Sequence, residues 1–255
     1  MISVLLIATG LSIRQSEMHR ALTVGLNDAA RLIPPEIWAM LSLFGLGWAT
    51  VILVCATDRS GVEGRVVLLA LVLGGLLTHL LKHWISDPRP GLVIPEGLQI
   101  IGMPILHGGS MPSGHTLAAF CMASLFNARM RRKKDLSEAR SHLWISVALW
   151  SLAACVGLSR IAVGAHWPSD VLVGAGLGML VAAIASRLVL LWPEQGAGRF
   201  PALVISLELI AAAVAVVEEP GLQSIVWAQY LFAGLTIASA SARVSRWWAG
   251  HGSVR

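Results

Sequence analysis

Three short clusters of polar residues hold the side chains of this chain that could do chemistry on a phosphate. Together they supply three cations, two histidines, one carboxylate and a turn of serine and glycine. They are Lys82 with Arg89 and Pro90; Pro112, Ser113, Gly114 and His115; and Ser159 and Arg160 with His166 and Asp170. Phosphoryl transfer depends on positioning and on neutralising the charge of the phosphate oxygens. The clusters therefore predict a site that binds a phosphate and transfers it to a nucleophile, with no metal ion or cofactor.

The three cations suit the phosphate oxygens. Arg89 and Arg160 can each donate paired hydrogen bonds to those oxygens, and Lys82 adds a compact charge. A single such residue would more simply be an interfacial cation whose charged end reaches water. Three of them beside two histidines favour a phosphate-binding site.

The turn before the apolar run at 115–128 could also hold the phosphate. Ser113 can add its hydroxyl, and Gly114 lets the backbone approach a ligand closely. The N–H groups of a first helical turn favour an anion, and His115 projects from that turn as a general acid for the leaving oxygen. An ordinary helix cap at Ser113 is compatible with this role.

His166 and Asp170 are predicted to be a nucleophile and its support. They lie four residues apart near the start of the apolar segment 168–191. A carboxylate on one ring nitrogen fixes the imidazole tautomer and leaves the other nitrogen to attack phosphorus. Two simpler roles stay open: Asp170 as a helix cap, and His166 with Trp167 as an anchor at the membrane interface.

Composition predicts an integral membrane protein built from helices. Of the 255 residues, 56% are hydrophobic and 13% charged, with a mean hydropathy of +0.72, whereas soluble domains carry about 25% charged residues. The apolar segments are 37–56, 66–81, 115–128, 143–158, 168–191, 202–217 and 225–242. About 20 such residues cross a bilayer. We therefore expect an all-α, polytopic transmembrane bundle that forms a single domain over residues 1–255, with a motif-bearing core at 66–191 and C-terminal helices at 202–242.

Three further segments leave alternatives open. Residues 1–13 are apolar but short, so they predict either a short first membrane helix or an interfacial segment. Residues 14–36 are expected to form a polar, partly amphipathic connection. The loop 91–111 carries apolar residues among Pro and Gly, and it could either lie in the membrane interface and admit lipid or pack as a lid on the bundle.

The basic residues predict the topology. If the loop 129–142 faces the cytoplasm, alternation of the helices places 57–65, 187–199 and 243–255 on the same side. These four segments hold 13 of the 19 Lys and Arg residues, a bias that follows the positive-inside rule. It accounts for the net charge of +5 without a nucleic-acid partner. The same alternation brings the three polar clusters to the opposite face.

The clusters resemble the motifs of the type 2 phosphatidic acid phosphatase (PAP2) superfamily. The pattern Lys-x6-Arg-Pro, Pro-Ser-Gly-His and Ser-Arg-x5-His-x3-Asp matches position by position over residues 82–170. The resemblance implies a six-helix membrane core, here with room for one or two extra helices, and no metal. It also implies that His166 attacks phosphorus to form a phosphohistidine, that Asp170 orients it, and that His115 protonates the leaving group. The residues implied to hold the phosphate are Lys82, Arg89, Ser113, Gly114 and Arg160.

We therefore expect a metal-independent lipid phosphate or diphosphate phosphatase, a multi-pass protein of a bacterial-type inner membrane with its site facing the periplasm. The expected partners are the lipid phosphate substrate and the bilayer, and the favoured substrate is undecaprenyl diphosphate. Phosphatidylglycerol phosphate and lipid A 1-phosphate are alternatives, as is transfer of the phosphate to another lipid. A non-catalytic lipid-binding or transport protein is the alternative from a different class, and the complete set of His166, His115 and Asp170 argues against it.

Overall fold

The computed structural model describes residues 1–14, 16–57, 62–102, 108–132, 139–191, 200–218 and 221–252. Over these ranges the regular structure is entirely helical, which confirms the predicted all-α class. The helices are α1 (Ile2–Ile13), α2 (Glu17–Ala30), α3 (Pro35–Leu43), α4 (Gly47–Thr57), α5 (Val62–Ile85), α6 (Pro90–Val93), α7 (Gly114–Arg132), α8 (Ala139–Ala162), α9 (Pro168–Leu188), α10 (Phe200–Val217) and α11 (Val226–Gly252). Short 3₁₀ turns lie at Pro95–Gly97, Val189–Leu191 and Gln223–Ile225.

The helices are those of a membrane protein. Among the described residues, the stretches long and apolar enough to cross a bilayer are Gly64–Val93, Arg140–Ala162, Pro168–Leu191 and Gln223–Ala249. Shorter apolar helices lie at Ile2–Ile13 and Ala202–Val217. Many large apolar side chains stand exposed on the outside of the bundle, for example Val72, Leu76 and Leu80 along α5. Such a surface is covered by lipid in a membrane bundle.

The apolar segment 37–56 does not form one continuous helix. The structure breaks this segment into α3 and α4, with a short turn between them. Gly45 in that turn lies so close to the neighbouring helices that a Cβ there would come within 2.7 Å of the His115 Cβ and 2.8 Å of Val156. The break therefore brings backbone against the first turn of α7, where a side chain would not fit.

The pair α7 and α9 forms the centre of the bundle. A Cβ on Gly174 of α9 would lie 2.6 Å from the carbonyl oxygen of Ser113, and a Cβ on Gly178 would overlap the carbonyl of Leu117. Small residues of this kind allow membrane helices to pack backbone to backbone. The close approach sets the first turn of α7, with His115, beside the first turn of α9.

The N-terminal segment packs on the outside of this pair. With 12 residues, α1 is about 18 Å long at 1.5 Å per residue, which is shorter than a bilayer core of about 30 Å. It lies against α9, where a Cβ on Gly10 would come within 2.8 Å of Val173. The predicted amphipathic connection contains α2, whose buried residues recur every three or four positions. Asn27 on that face donates to the carbonyl oxygens of Gln99, Ile161 and Ala162 at 2.9–3.1 Å.

The C-terminal helices α10 and α11 pack together and against α4 and α5. A buried ion pair joins them, with Arg243 Nη2 lying 3.2 Å from Glu208 Oε1. The helix α11 begins close to the predicted start but continues to Gly252, beyond the predicted end at 242. Likewise α7 continues to Arg132, so the start of the predicted loop 129–142 is helical; residues 133–138 lie outside the described part.

The described portion of the loop 91–111 packs onto the bundle. Leu98 and Ile101 are buried, and Ile101 contacts Val163 and Ala165 beyond the end of α8. This agrees with the packed-lid alternative for residues 98–102. Residues 103–107 lie outside the described part of the chain.

Candidate active site

Six of the eight residues predicted to act on the phosphate line one cavity of about 420 Å³: Lys82, Arg89, Gly114, His115, Arg160 and His166. The other two, Ser113 and Asp170, are fully buried behind its wall. The cavity lies where the ends of α5 and α8 meet the starts of α7 and α9.

Backbone hydrogen bonds between distant segments hold the three clusters together. The amide of Gly91, just after Arg89, donates to the carbonyl oxygen of Gly164 at 3.2 Å. The amide of Ser113 donates to the carbonyl oxygen of Asp170 at 3.0 Å. These bonds connect the first cluster to the third and the second cluster to the third.

The turn after α8 explains the spacing between Arg160 and His166. Gly164 has φ +73°, the left-handed conformation that commonly ends a helix. This turn lets the amides of Ala165 and His166 donate back to the carbonyl oxygen of Arg160, both at 3.1 Å. The five intervening residues therefore return His166 to the same end of α8 as Arg160.

His166, Asp170 and Ser110 form a hydrogen-bonded group. His166 Nδ1 lies 3.2 Å from Asp170 Oδ2, and Ser110 Oγ donates to the same oxygen at 2.5 Å. The backbone amide of Trp167 donates to Asp170 Oδ2 at 2.9 Å, so the carboxylate caps α9 while it also contacts the imidazole. With Nδ1 facing Asp170 in this way, Nε2 is the ring nitrogen that remains for a substrate.

His166 and Trp167 do not form an anchor at the membrane interface. His166 is 2% exposed and Trp167 8%, and the indole Nε1 of Trp167 donates to the carbonyl oxygen of Pro88 at 2.8 Å. Both side chains belong to the packed interior. The alternative role considered for this pair is therefore wrong.

The two arginines line the cavity, and each has an N–H donor without a partner in the described part of the chain. Arg160 Nη1 donates to Ser42 Oγ at 2.9 Å, and Arg89 Nη1 reaches the carbonyl oxygen of Ala165 at 3.4 Å. The Nε atoms of both are buried and make no hydrogen bond within the described part of the chain. Buried donors are normally satisfied, and an anion in the cavity would satisfy these.

The environment of His166 favours its neutral form. Burial lowers the pKa of this imidazole well below its usual value, and the charges of Arg89, Arg160 and Lys82 lower it further. A neutral imidazole keeps the lone pair that a nucleophile requires. The same cations that suit a phosphate therefore also keep His166 unprotonated.

Ser113 serves as the cap of α7. Its Oγ accepts a hydrogen bond from Thr116 Oγ1 at 2.9 Å and a longer one from the Thr116 amide at 3.4 Å. This is the cap role that the sequence left compatible with phosphate binding. The backbone at Gly114, rather than the Ser113 side chain, reaches the cavity wall.

Two serines that sequence reasoning missed contact the site residues. Ser110 bonds to Asp170, and Ser42 accepts from Arg160 and also pairs with Ser159 Oγ at 2.9 Å. Ser110 follows two glycines in a loop, and Ser42 lies within an apolar run. Neither sequence context indicates a functional residue, so these contacts could be identified only from the tertiary structure.

No group of three or more His, Cys, Asp or Glu side chains with the proximity of metal ligands occurs in the described ranges.

Residues 63–193, just over half of the chain, match the family model described as the PAP2 superfamily. The chain belongs to this superfamily. The matched region contains all three polar clusters.

Named relatives of this PAP2 protein act on lipid phosphates. A Porphyromonas gingivalis protein named lipid A 1-phosphatase is 30% identical over 159 residues, which cover 61% of this chain and 29% of that protein. The Bacillus subtilis phosphatidylglycerophosphatase B is 30% identical over 122 residues, covering 47% of this chain and 54% of that protein. The matches therefore span about half or less of the length of these relatives.

A solved membrane structure shares the fold. The crystal structure of Aquifex aeolicus LpxE superposes with a TM-score of 0.55 at 25% identity, covering 69% of this chain and 98% of that one. The remaining third of this chain lies outside that match. Helices α10 and α11 also lie beyond the family-matched residues 63–193.

Proposed function

We propose that this protein is a lipid phosphate phosphatase that acts on a phosphate monoester through a phosphohistidine at His166. The observation that carries the proposal is that two pockets adjoin beside His115. The cavity with the three cations and His166 shares five lining residues with an apolar groove of about 250 Å³: Leu46, Thr78, His79, Gly114 and His115. A phosphate and a hydrocarbon chain could thus be bound side by side, with the bond between them at His115.

The groove runs from the cavity between α4, α5 and α7. Its walls are mainly apolar or lack a side chain, as at Val67, Leu71, Leu117 and the pair Gly74 and Gly75. A volume of this size and character suits part of an acyl or prenyl chain. A soluble phosphate ester would gain nothing from such a groove, which supports a lipid substrate.

The proposed reaction has two displacements. His166 Nε2 attacks phosphorus, the bond from phosphorus to the leaving oxygen breaks, and His115 donates a proton to that oxygen. Water then attacks the phosphohistidine and releases inorganic phosphate, with His115 taking the proton from water. Asp170 accepts the Nδ1 hydrogen bond and stabilises the positive charge that develops on the imidazole. Lys82, Arg89 and Arg160 neutralise the phosphate oxygens.

The names of the relatives favour the alternative substrates over undecaprenyl diphosphate. The two relatives described above are named for lipid A 1-phosphate and phosphatidylglycerol phosphate, and both are phosphate monoesters of a lipid. We therefore propose a lipid phosphate monoester as substrate. Transfer of the phosphate to a second lipid would use the same phosphohistidine and differs only in the acceptor.

We also propose that the site faces the outside of a bacterial inner membrane. The positive-inside bias supports this orientation, because the basic segment 129–142 then faces the cytoplasm. The cavity lies at the opposite ends of α7 and α8 from that segment.

Phosphate release from purified protein in detergent tests the proposed function. We expect release from a phosphatidylglycerol phosphate or lipid A 1-phosphate substrate, undiminished by a metal chelator. Farnesyl diphosphate should be a poorer substrate. Absence of release from every lipid phosphate would overturn the enzyme assignment, and loss of activity with the chelator would overturn the metal-independent mechanism.

Replacing His115 with alanine should lower kcat most for substrates with poor leaving groups. An alkyl lipid phosphate needs its leaving oxygen protonated, so its turnover should fall by about 10²–10⁴-fold. A nitrophenyl phosphate leaves without a proton and should lose much less. Equal losses on both substrates, measured as kcat, would argue against the general-acid role.

A further inference from the structure

One part of the cavity wall comes from beyond the C-terminal end of the family-matched region. Glu218 follows α10, Gln229 lies on α11, and Gly221 lies between them; all three line the same cavity as His166. The family match ends at residue 193. This part of the chain therefore adds polar groups to the cavity that the motifs do not account for.

Packing holds this wall in place. Gln229 is 1% exposed, and its Nε2 donates to the carbonyl oxygen of Glu218 at 3.3 Å. The Glu218 carboxylate accepts a 2.8 Å hydrogen bond from the indole Nε1 of Trp48. Trp48 is itself buried and packs edge-on against Phe232 of α11 at 5.8 Å between ring centroids. Gln229 is therefore buried along α11, and the carboxylate of Glu218, which is exposed, is held by its hydrogen bond to Trp48 of α4.

The same segment also contacts the described end of the loop 91–111. The backbone of Gly221 lies directly against Gly102, leaving no room for a side chain at position 102. Leu222 packs on the apolar cluster of Ile101, Val163 and Ala165. Gly221 and Leu222 thus lie next to the turn that leads to His166, and Gly221 lines the cavity.

The chemistry of this wall differs from that of the phosphate side. A carboxylate repels a phosphate but accepts hydrogen bonds from hydroxyl groups, and a carboxamide can both donate and accept. The alcohol that leaves from phosphorus must lie next to His115, which also lines the cavity. Hydroxyl groups close to the ester bond of that alcohol would face Glu218 and Gln229.

We infer that Glu218 and Gln229 select the leaving alcohol by hydrogen-bonding its hydroxyl groups. The inference rests on the proposed function, and it narrows the substrate class. The preferred substrate is a phosphate monoester of a hydroxyl-bearing head group, such as a glycerol or a sugar, carried by a lipid. A phosphate on diacylglycerol, which has no free hydroxyl group, is a poorer substrate.

Two substrates distinguish this inference from the proposed function. Phosphatidylglycerol phosphate carries a hydroxyl next to the ester, whereas phosphatidic acid does not. The wild-type protein should hydrolyse the first with the higher kcat/KM. Gln229→Met, which keeps the length of the side chain, should lower kcat/KM for phosphatidylglycerol phosphate about tenfold or more and change the value for phosphatidic acid by less than about threefold. Glu218→Gln can still accept the hydrogen bond from Trp48. It should also lower the ratio of kcat/KM for phosphatidylglycerol phosphate to kcat/KM for phosphatidic acid.

Two exposed residues outside the cavity lining offer matched controls. Gln223→Met changes an exposed glutamine of the same connection, and Glu36→Gln an exposed glutamate at the start of α3; neither residue lines the cavity. Both controls should keep the wild-type ratio of kcat/KM values. Equal loss on both substrates, or an unchanged ratio in both variants, would overturn the inference while leaving the phosphatase proposal intact. Failure of the wild type to hydrolyse either lipid would overturn both.

Discussion

Replacing His166 with glutamine should lower kcat by at least about 10⁴-fold and abolish the covalent phosphoenzyme. Glutamine fills much of the same buried space and can still bond to Ser110 or Asp170, but it has no nucleophilic nitrogen. The phosphoenzyme would be measured by rapid quenching with a lipid substrate labelled at the phosphate. Because His166 is buried and hydrogen-bonded, folding of the variant should be checked by its thermal unfolding in detergent.

The matched control for this variant is His83→Gln. His83 is an exposed histidine next to Lys82 and does not line the cavity, so turnover should remain close to wild type. A folded His166→Gln protein that keeps turnover, or that still accumulates phosphoenzyme, would contradict the nucleophile assignment.

The rate of phosphoenzyme formation should also show a distinctive pH dependence. Since burial and the neighbouring cations lower the pKa of His166, the imidazole stays neutral as the pH falls through its ordinary value of about 6.5. The fraction of nucleophilic His166 should therefore decline only at still lower pH. The result against this environment for His166 would be a single-turnover rate that falls as the pH is lowered, with a midpoint at or above pH 6.5. The fall would also have to persist when the other titratable residues are substituted.

Replacing Asp170 with asparagine should lower kcat by about 10³–10⁴-fold with little change in KM. The carboxylate accepts from Nδ1 of His166 and would stabilise the imidazolium-like charge of the phosphohistidine. An amide has the same size but lacks that charge, and it can present its NH₂ group to the ring, which favours the wrong tautomer. Ser110→Ala removes one hydrogen-bond donor to the Asp170 carboxylate. It should also lower kcat, but by less than Asp170→Asn does.

Separation of kcat from KM distinguishes this role from a structural one. Asp170 also caps α9 through the Trp167 amide, and an asparagine oxygen can still accept that bond, so thermal unfolding should change little. Asp28→Asn, at an exposed ion pair with Arg31, is the control. An Asp170→Asn protein whose KM rises while kcat is retained would contradict the positioning of His166 by Asp170.

The features best predicted from the sequence were those in which the spacing of residues follows local backbone geometry. His166 lies just before α9 and Asp170 lies in its first turn, and the structure places a carboxylate oxygen of Asp170 3.2 Å from the ring of His166. The five residues between Arg160 and His166 correspond to a helix end and a glycine turn. These relations depend on neighbouring residues, so a pattern along the chain contains them.

Segment boundaries were less predictable. Hydropathy averages over a window, so the apolar run 37–56 gave no sign of the break between α3 and α4. That break depends on the close approach of Gly45 to His115, a residue 70 positions away. The substrate preference first expected, undecaprenyl diphosphate, likewise depended on contacts beyond the motifs.

The sequence by itself determined the membrane character, the helical class and the set of candidate phosphate-binding residues, because composition, hydropathy and short-range spacing are properties of the chain. Only the tertiary structure decided that Ser110 and Ser42 contact those residues, that an apolar groove adjoins the cavity beside His115, and that Glu218 and Gln229 line the cavity. Each of these depends on segments distant in sequence packing against one another. Hydrogen bonds and side-chain volumes fix such packing, and neither leaves a periodic signal along the chain.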